Sequence, residues 1–248
     1  MFLSLAYHKV EEVPGSLYSV RPAQLAQHID TIREAGETIV APRLLGTPGY
    51  VASGVLLTFD DASRDHIDTV WPILERKRVR AVFFVPTCKV DQRGHLSRGD
   101  LVTLHQSGHV LGSHSHGNGR LDALSLGELR EDLERSTELI ASIGNGRPVF
   151  FAPPGGFCSD RIKRVAAENG YRFLRTMDWG YNRHLDFMNI QVLPMTGSLG
   201  GISLRMGLAQ KAEFLMRTTF LMKNCLRGAL SPRHYASLRG MLFHRGTN

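Results

Sequence analysis

The sequence predicts an α/β fold: a (β/α) barrel of about seven parallel strands, followed by a basic C-terminal extension. Three observations carry that expectation. Seven short apolar runs recur along the chain, helical segments with recognisable ends lie between them, and the residues able to do chemistry follow the C-terminal ends of the runs. In a parallel barrel those strand ends form one face, where loops converge on an active site.

The strand-like runs are 2–7, 55–59, 80–85, 109–113, 149–152, 172–176 and 190–193. Each is short, apolar and rich in β-branched or aromatic residues, as expected of a buried strand. Leu25, Ile29 and Ile32 make one apolar helical face, closed by Gly36. Ser125 and Glu128 form a capping box ahead of Leu129, Leu133 and Ile140. Ser159 can cap a helix carrying Ile162, Val165 and Ala166 that ends at Gly170.

A chain of 248 residues, 42% hydrophobic and 21% charged, suits one domain with an appendage. The formal charge of +7 divides it further. Residues 203–248 hold eight basic side chains against Glu213 alone and so carry all of the excess, whereas residues 1–202 balance at 22 basic and 22 acidic. The expected organisation is a barrel over 1–202 and a basic, helical extension over 203–248. Leu208, Phe214, Leu215, Phe220 and Leu221 among the extension's basic residues are compatible with an amphipathic helix, which can lie on an anionic membrane or close the barrel. Nucleic acid is not an expected partner, because the balanced part has no basic stripe and no helix-turn-helix pattern is visible. Cys88, Cys158 and Cys225 lack metal-ligand or disulfide spacing and read as reduced thiols. With no long apolar span and no signal-peptide pattern in Met1–His8, the expected location is the cytoplasm, at the inner face of the membrane if the extension binds there.

The most informative stretch is Val55-Leu-Leu-Thr-Phe-Asp60-Asp61. Strand packing does not call for two adjacent acids, and like charges so close are best tolerated where a cation or a shared proton relieves them. Neighbouring residues at a strand end point in different directions, so one carboxylate can bind a metal while the other faces the reacting atom. The alternative is a solvated turn. A second cluster, Gly112-Ser-His114-Ser-His116-Gly-Asn118, follows another strand, and His114 and His116 share one side of an extended segment.

These residues, with Phe151-Ala-Pro-Pro-Gly-Gly156, resemble three ordered motifs of the polysaccharide deacetylase family, the NodB-homology metal-dependent carbohydrate esterases. The resemblance covers roughly residues 1–200. It implies a distorted (β/α) barrel and hydrolysis of a sugar acetyl group, N-acetyl ahead of O-acetyl, on a polysaccharide or lipid-linked glycan precursor. It assigns Asp60 as general base, Asp61 as metal carboxylate and His114 as the first metal histidine. Tyr7-His8 is similar to an N-terminal Tyr-His of a permuted subgroup, in which that histidine is the general acid. Phe151, Pro153, Pro154 and Gly155 are implied to line the substrate groove, and Trp179 and Asn182 resemble a late segment at its mouth.

The chain departs from the family pattern at two positions. The second metal histidine falls on Asn118, leaving His116 as the alternative ligand, and the glycine that follows Asp-Asp in many members is Ala62. Zinc is the expected ion, but the neutral oxygen of Asn118 also admits a harder divalent cation. The rival expectation is a carbohydrate-binding relative whose metal site has been lost through Asn118.

Overall fold

The computed structural model describes residues 2–48, 50, 53–144, 146–182, 186–197 and 204. Strand β1 (Phe2–Tyr7) is followed by β2 (Lys9–Val10) and β3 (Ser19–Val20), which pair with each other in parallel. Then come α1 (Pro22–Glu34), β4 (Gly54–Phe59), α2 (Trp71–Arg76), β5 (Val82–Val85), α3 (Arg98–Gln106) and β6 (Val110–Ser113). The chain continues through α4 (Leu126–Gly144), β7 (Phe150–Phe151), α5 (Asp160–Glu168), β8 (Phe173–Trp179) and β9 (Ile190–Pro194). Strands β1, β4, β5, β6, β7, β8 and β9 pair in that order, all in parallel, and β9 returns to β1 to close a seven-stranded barrel. The closure is uneven: β6 meets β7 through the single pair Ser113–Phe151, and β8 shifts register against β9 between Arg175 and Trp179.

All seven expected barrel strands are present. Their side chains alternate between two environments, as the pleat requires. Phe2, Leu56, Val82, Phe84, Phe150 and Phe173 fill the barrel interior, where the Phe150 and Phe173 rings stack with centroids 4.6 Å apart. The intervening residues pack outward. Leu5, Leu57, Phe59 and Phe83 meet the residues of α1, α2 and α3, while Phe151 and Leu174 meet those of α4 and α5. This parity decides which side chains at the upper strand ends can reach a common point.

The expected helix ends are also present. Ser125 and Glu128 exchange hydrogen bonds at the start of α4, and the Ser159 hydroxyl accepts from the Ile162 N–H at the start of α5. Two short helices went unanticipated. α3 buries only Leu101 and Leu104 and depends on the Ser97–Asp100 capping box, while α2 is preceded by a π-helical turn over His66–Val70. The expected helical extension over 203–248 lies outside the described residues except for Leu204, which is buried with the outer core.

Beneath the barrel, His109 is fully buried at the foot of β6, with its ring edge on Phe83. Its Nδ1 accepts the Ala81 N–H at 3.2 Å, its Nε2 lies 3.4 Å from Glu75, and the Arg43 and Arg80 guanidiniums are nearby. Burial, with the repulsion of Arg80 and Arg43, pushes its pKa from 6.5 down to about 3. The folded state therefore keeps His109 neutral where the unfolded chain binds a proton, and acid favours unfolding. The stability difference between wild type and His109→Asn should change by about 1.4 kcal/mol per pH unit as pH falls from 6.5 toward 3, in the direction that weakens wild type. Urea melts at several pH values measure it. A difference independent of pH would remove His109 as the source.

Candidate active site

A cavity of about 320 Å³ opens at the C-terminal ends of the strands, lined by His8, Asp60, Asp61, His114 and Asn118 with Tyr18, Met177 and the Pro153–Gly156 turn. Strand parity builds it. Leu56, Thr58 and Asp60 alternate inward from β4, and Phe173 and Arg175 do so from β8. His114 continues the inward side of β6, where Gly112 lies against the Phe84 ring that a larger side chain would strike.

Asp60 is the most constrained group. Its side chain and that of Arg175 are each only 3% exposed, and Arg175 Nη2 donates to Asp60 Oδ2 at 2.5 Å. The guanidinium also lies over the Phe84 ring, 4.9 Å from its centroid, and reaches the Met177 sulfur at 3.0 Å. Burial alone would raise the Asp60 pKa. Arg175, with His8 and His114, outweighs burial and holds the carboxyl below its ordinary value. Asp60 Oδ1 has no hydrogen-bond partner among the described residues. The result is an ionised carboxylate with one oxygen anchored and the other unpaired.

Asp61 and Ala62 both take left-handed backbone conformations, at φ 74° and 47°. That turn carries Asp61 out of the strand's alternation, so its half-exposed carboxylate lies beside Asp60's on the same cavity. A Cβ at Ala62 is strained in that conformation, which gives a physical reason for the glycine that the family resemblance would place there. His114 Nδ1 donates to the Ala152 carbonyl at 2.6 Å, which leaves Nε2 as the bare nitrogen, 3.8 Å from Asp61 Oδ1. Burial lowers the His114 pKa despite the pull of Asp60 and Asp61, so the ring is neutral and its lone pair is available. Asn118, also left-handed at φ 52°, reaches the cavity by a turn in which Ser115 Oγ accepts its N–H. Asp61, His114 and Asn118 thus surround one space, a donor set of carboxylate, imidazole and amide oxygen that fits a divalent cation.

His8 Nε2 lies 3.8 Å from Asp60 Oδ2, with its ring stacked on Tyr18 at 5.0 Å. Pro153, Pro154 and Gly155 form one wall.

Four expected placements differ. Phe151 faces outward, stacked on Tyr171 among α4 and α5 residues, because strand alternation gives the inward side to Phe150 and Ala152. His116 is turned to Thr87, whose hydroxyl is 3.0 Å from its Nδ1, and it does not line the cavity. Asn182 is buried at the opposite end of β1, where it donates to the Phe2 and Gln191 carbonyls. Trp179, the last residue of β8, pairs with Val192 and is also absent from the cavity lining. Arg175, Tyr18 and Met177 are the site residues that sequence reasoning passed over. A lone arginine inside the apolar run Phe173–Thr176 was the visible signal for Arg175, because such a residue is either an edge exception or the partner of a buried acid.

Comparison with known proteins agrees with this architecture. The family model for polysaccharide deacetylase matches residues 51–174, half of the chain, and the chain belongs to that family. Among curated relatives, it is 27% identical over 119 residues to the uncharacterized protein YlxY of Bacillus subtilis, a match covering 46% of this chain and 36% of that one. It is 23% identical over 135 residues to a peptidoglycan-N-acetylglucosamine deacetylase of Bacillus cereus, covering 52% of this chain and 48% of the relative. The chain therefore spans about a third to a half of the length of these two relatives. The solved structure of the Streptococcus pyogenes deacetylase PplD in complex with acetate superposes with a TM-score of 0.74 at 20% identity, over 82% of this chain and 96% of that one, and shares the fold.

The Asp60–Arg175 pair is directly testable. Arg175→Met leaves a buried carboxylate without its cation and should cost about 3–5 kcal/mol of stability. Adding Asp60→Asn to that variant should recover part of the loss, because the stranded charge is gone. Chemical denaturation of the three proteins measures it. Additive losses would show that the two side chains are not coupled.

Proposed function

We propose that the protein hydrolyses the acetyl group of an N-acetylated sugar in a polysaccharide or a lipid-linked glycan precursor, with a divalent cation held beside Asp60. Membership of the polysaccharide deacetylase family supports the reaction class. The Bacillus cereus relative, by its name a deacetylase of N-acetylglucosamine in peptidoglycan, supports an amide bond on an amino sugar. The observation that carries the reading is Asp60: a buried carboxylate with Oδ2 fixed by Arg175 and Oδ1 unpartnered, lining an open cavity.

Asp61 and His114 would hold the cation, with the Asn118 amide oxygen as third donor. When bound there, a divalent ion supplies the Lewis acidity that polarises an acetyl carbonyl and brings a nearby water within reach of a weak base. The chain's own groups divide the proton transfers. Asp60 Oδ1 accepts the proton of the attacking water, and Arg175 keeps the carboxylate oriented and ionised until it does so. His8, 3.8 Å from Asp60, gives a proton to the departing amine, which is too basic to leave as an anion. The Pro153–Gly155 wall and Tyr18 bound the space left for the sugar. Asp60→Asn keeps size and shape but cannot take a proton. Acetate release from N-acetylhexosamine oligosaccharides should fall by on the order of a hundredfold or more in that variant. Undiminished release would end Asp60's candidacy as base.

A second reading, a carbohydrate-binding relative with a weakened metal site, draws support from the donor set. No three His, Cys, Asp or Glu side chains gather for a metal among the described residues. An amide oxygen is a poor partner for zinc beside the imidazole it stands in for. Zinc titration separates the readings. Asn118→His should bind zinc more than about tenfold tighter than wild type, because a nitrogen ligand replaces a neutral oxygen. His116→Ala should leave affinity unchanged, since His116 is turned to Thr87. Loss of binding in His116→Ala would reverse the ligand assignment.

A further inference from the structure

His8 stands in the site in an unusual way, because no hydrogen bond among the described residues holds its imidazole. Nδ1 is buried without a hydrogen-bond partner among the described residues, and Nε2 is 3.8 Å from Asp60, beyond hydrogen-bond distance. A histidine that works as an acid or base is ordinarily oriented by a bond to its second nitrogen. Here stacking on Tyr18 and the course of the backbone must set the ring's position.

That backbone is pinned on both sides of His8. The Tyr7 carbonyl accepts from the Asp60 N–H at 2.9 Å, and the Lys9 N–H reaches the Tyr18 carbonyl at 3.5 Å. The two shortest bonds come from side chains. His66 Nε2 donates to the His8 carbonyl at 2.6 Å, and Asp65 Oδ2 accepts from the Val10 N–H at 2.7 Å. Because a carbonyl only accepts, the His66 proton must sit on Nε2. The His66 ring is fully buried, edge-on to Phe59 and against Phe83, so the donor cannot swing away. Asp65 and His66 are consecutive and stand at the mouth of the π-helical turn, which the Trp71 N–H closes onto the His66 carbonyl. Such turns are rare and concentrate at functional sites.

We propose that Asp65 and His66 are positioning residues that hold the His8 imidazole at the leaving-group side of Asp60 by clamping the main chain on either side of it. The proposal rests on the reading of His8 as the proton donor. It makes the segment after Asp60-Asp61 part of the machinery: one loop supplies the base, the first metal carboxylate and the clamp for the acid.

Leaving-group chemistry supplies the test. An amine must be protonated to depart, whereas the phenolate of an aryl acetate leaves without a proton. His66→Phe keeps an aromatic ring in the slot and removes the donor. Its kcat on an N-acetylated sugar should fall by roughly tenfold, with KM little changed and aryl acetate hydrolysis intact. His66→Gln, whose amide N–H can reach the same carbonyl, should restore the rate. In a His8→Gln background, His66→Phe should cost nothing more, because its effect passes through His8. Asp65→Ala is the second variant, for use should His66→Phe not fold. Amide exchange at Val10 should quicken and the same selective kcat loss appear. If His8→Gln itself hydrolyses the N-acetylated sugar at the wild-type rate, the acid reading fails and the clamp with it. If His8→Gln is impaired while the clamp variants are as active as wild type, lose both substrates alike, or cost the same in the His8→Gln background, the clamp alone is refuted.

Discussion

A carboxylate inside a barrel of phenylalanines can stay ionised only if a cation is buried with it, and the pairing of Asp60 with Arg175 meets that condition. Desolvating the two charges separately would cost several kcal/mol each, and the short contact between them offsets the cost only where geometry and further contacts cooperate. The Phe84 ring beneath the guanidinium and the Met177 sulfur beside it are those further contacts. The pair also fixes the relation of two strands that are not neighbours, because β4 and β8 must both present inward residues at the same height. A slip of one residue in β8 would exchange Arg175 for Leu174 or Thr176 and leave Asp60 without its partner. Barrel register and the chemistry of the site are in this sense one constraint.

The backbone at the rim shows where that constraint is met at a local cost. Asp61, Ala62, Ser115 and Asn118 all have positive φ without being glycine, and all four belong to the turns after β4 and β6, from which Asp61 and Asn118 line the cavity. Left-handed backbone costs such residues of order 1 kcal/mol or more, and it persists only where the surrounding structure over-determines it. Here the surroundings are specific. The Leu96 N–H holds the Ala62 carbonyl, His95 Nδ1 is 3.2 Å from the Asp61 carbonyl, and Asp132 accepts the N–H groups of His116 and Gly117. Each turn redirects one side chain that strand alternation would have sent elsewhere.

How much of this was legible follows from the same geometry. Asp60, Asp61 and His114 stood out because acids and histidines directly after apolar strands have no packing role. The barrel was legible because each strand is a near-continuous apolar run. Alternation was equally available and would have moved Phe151 outward, since Ala152 and Phe150 must share the other side. Arg175 was missed because its partner is 115 residues away, and only closure of the barrel brings them together. Asn182 and Trp179 were misplaced because the bulge in β8 and the return of the chain to Phe2 are tertiary events without a local signature. His66 and Asp65 carried no signal, since a histidine in a helical turn looks like any other until its partner, a main-chain carbonyl, is seen.

The base strength of Asp60 bears on the cation that the proposed reaction invokes. Arg175 keeps Asp60 charged, and in doing so makes it a weaker base than an ordinary carboxylate. Bulk water, with a pKa near 15.7, is far beyond the reach of any carboxylate, so the proposed reaction needs a Lewis acid to lower that value, and pairing with Arg175 widens the gap further. If the cation binds as proposed, its donors are the Asp61 carboxylate, the neutral His114 imidazole and the Asn118 amide oxygen, with one imidazole fewer than an Asp-His-His site would offer. That set favours zinc less strongly over harder ions such as manganese or magnesium. In the proposed site Asn118 would bear on metal selectivity, whereas the Asp60–Arg175 pair sets the strength of the base, and the two can vary independently.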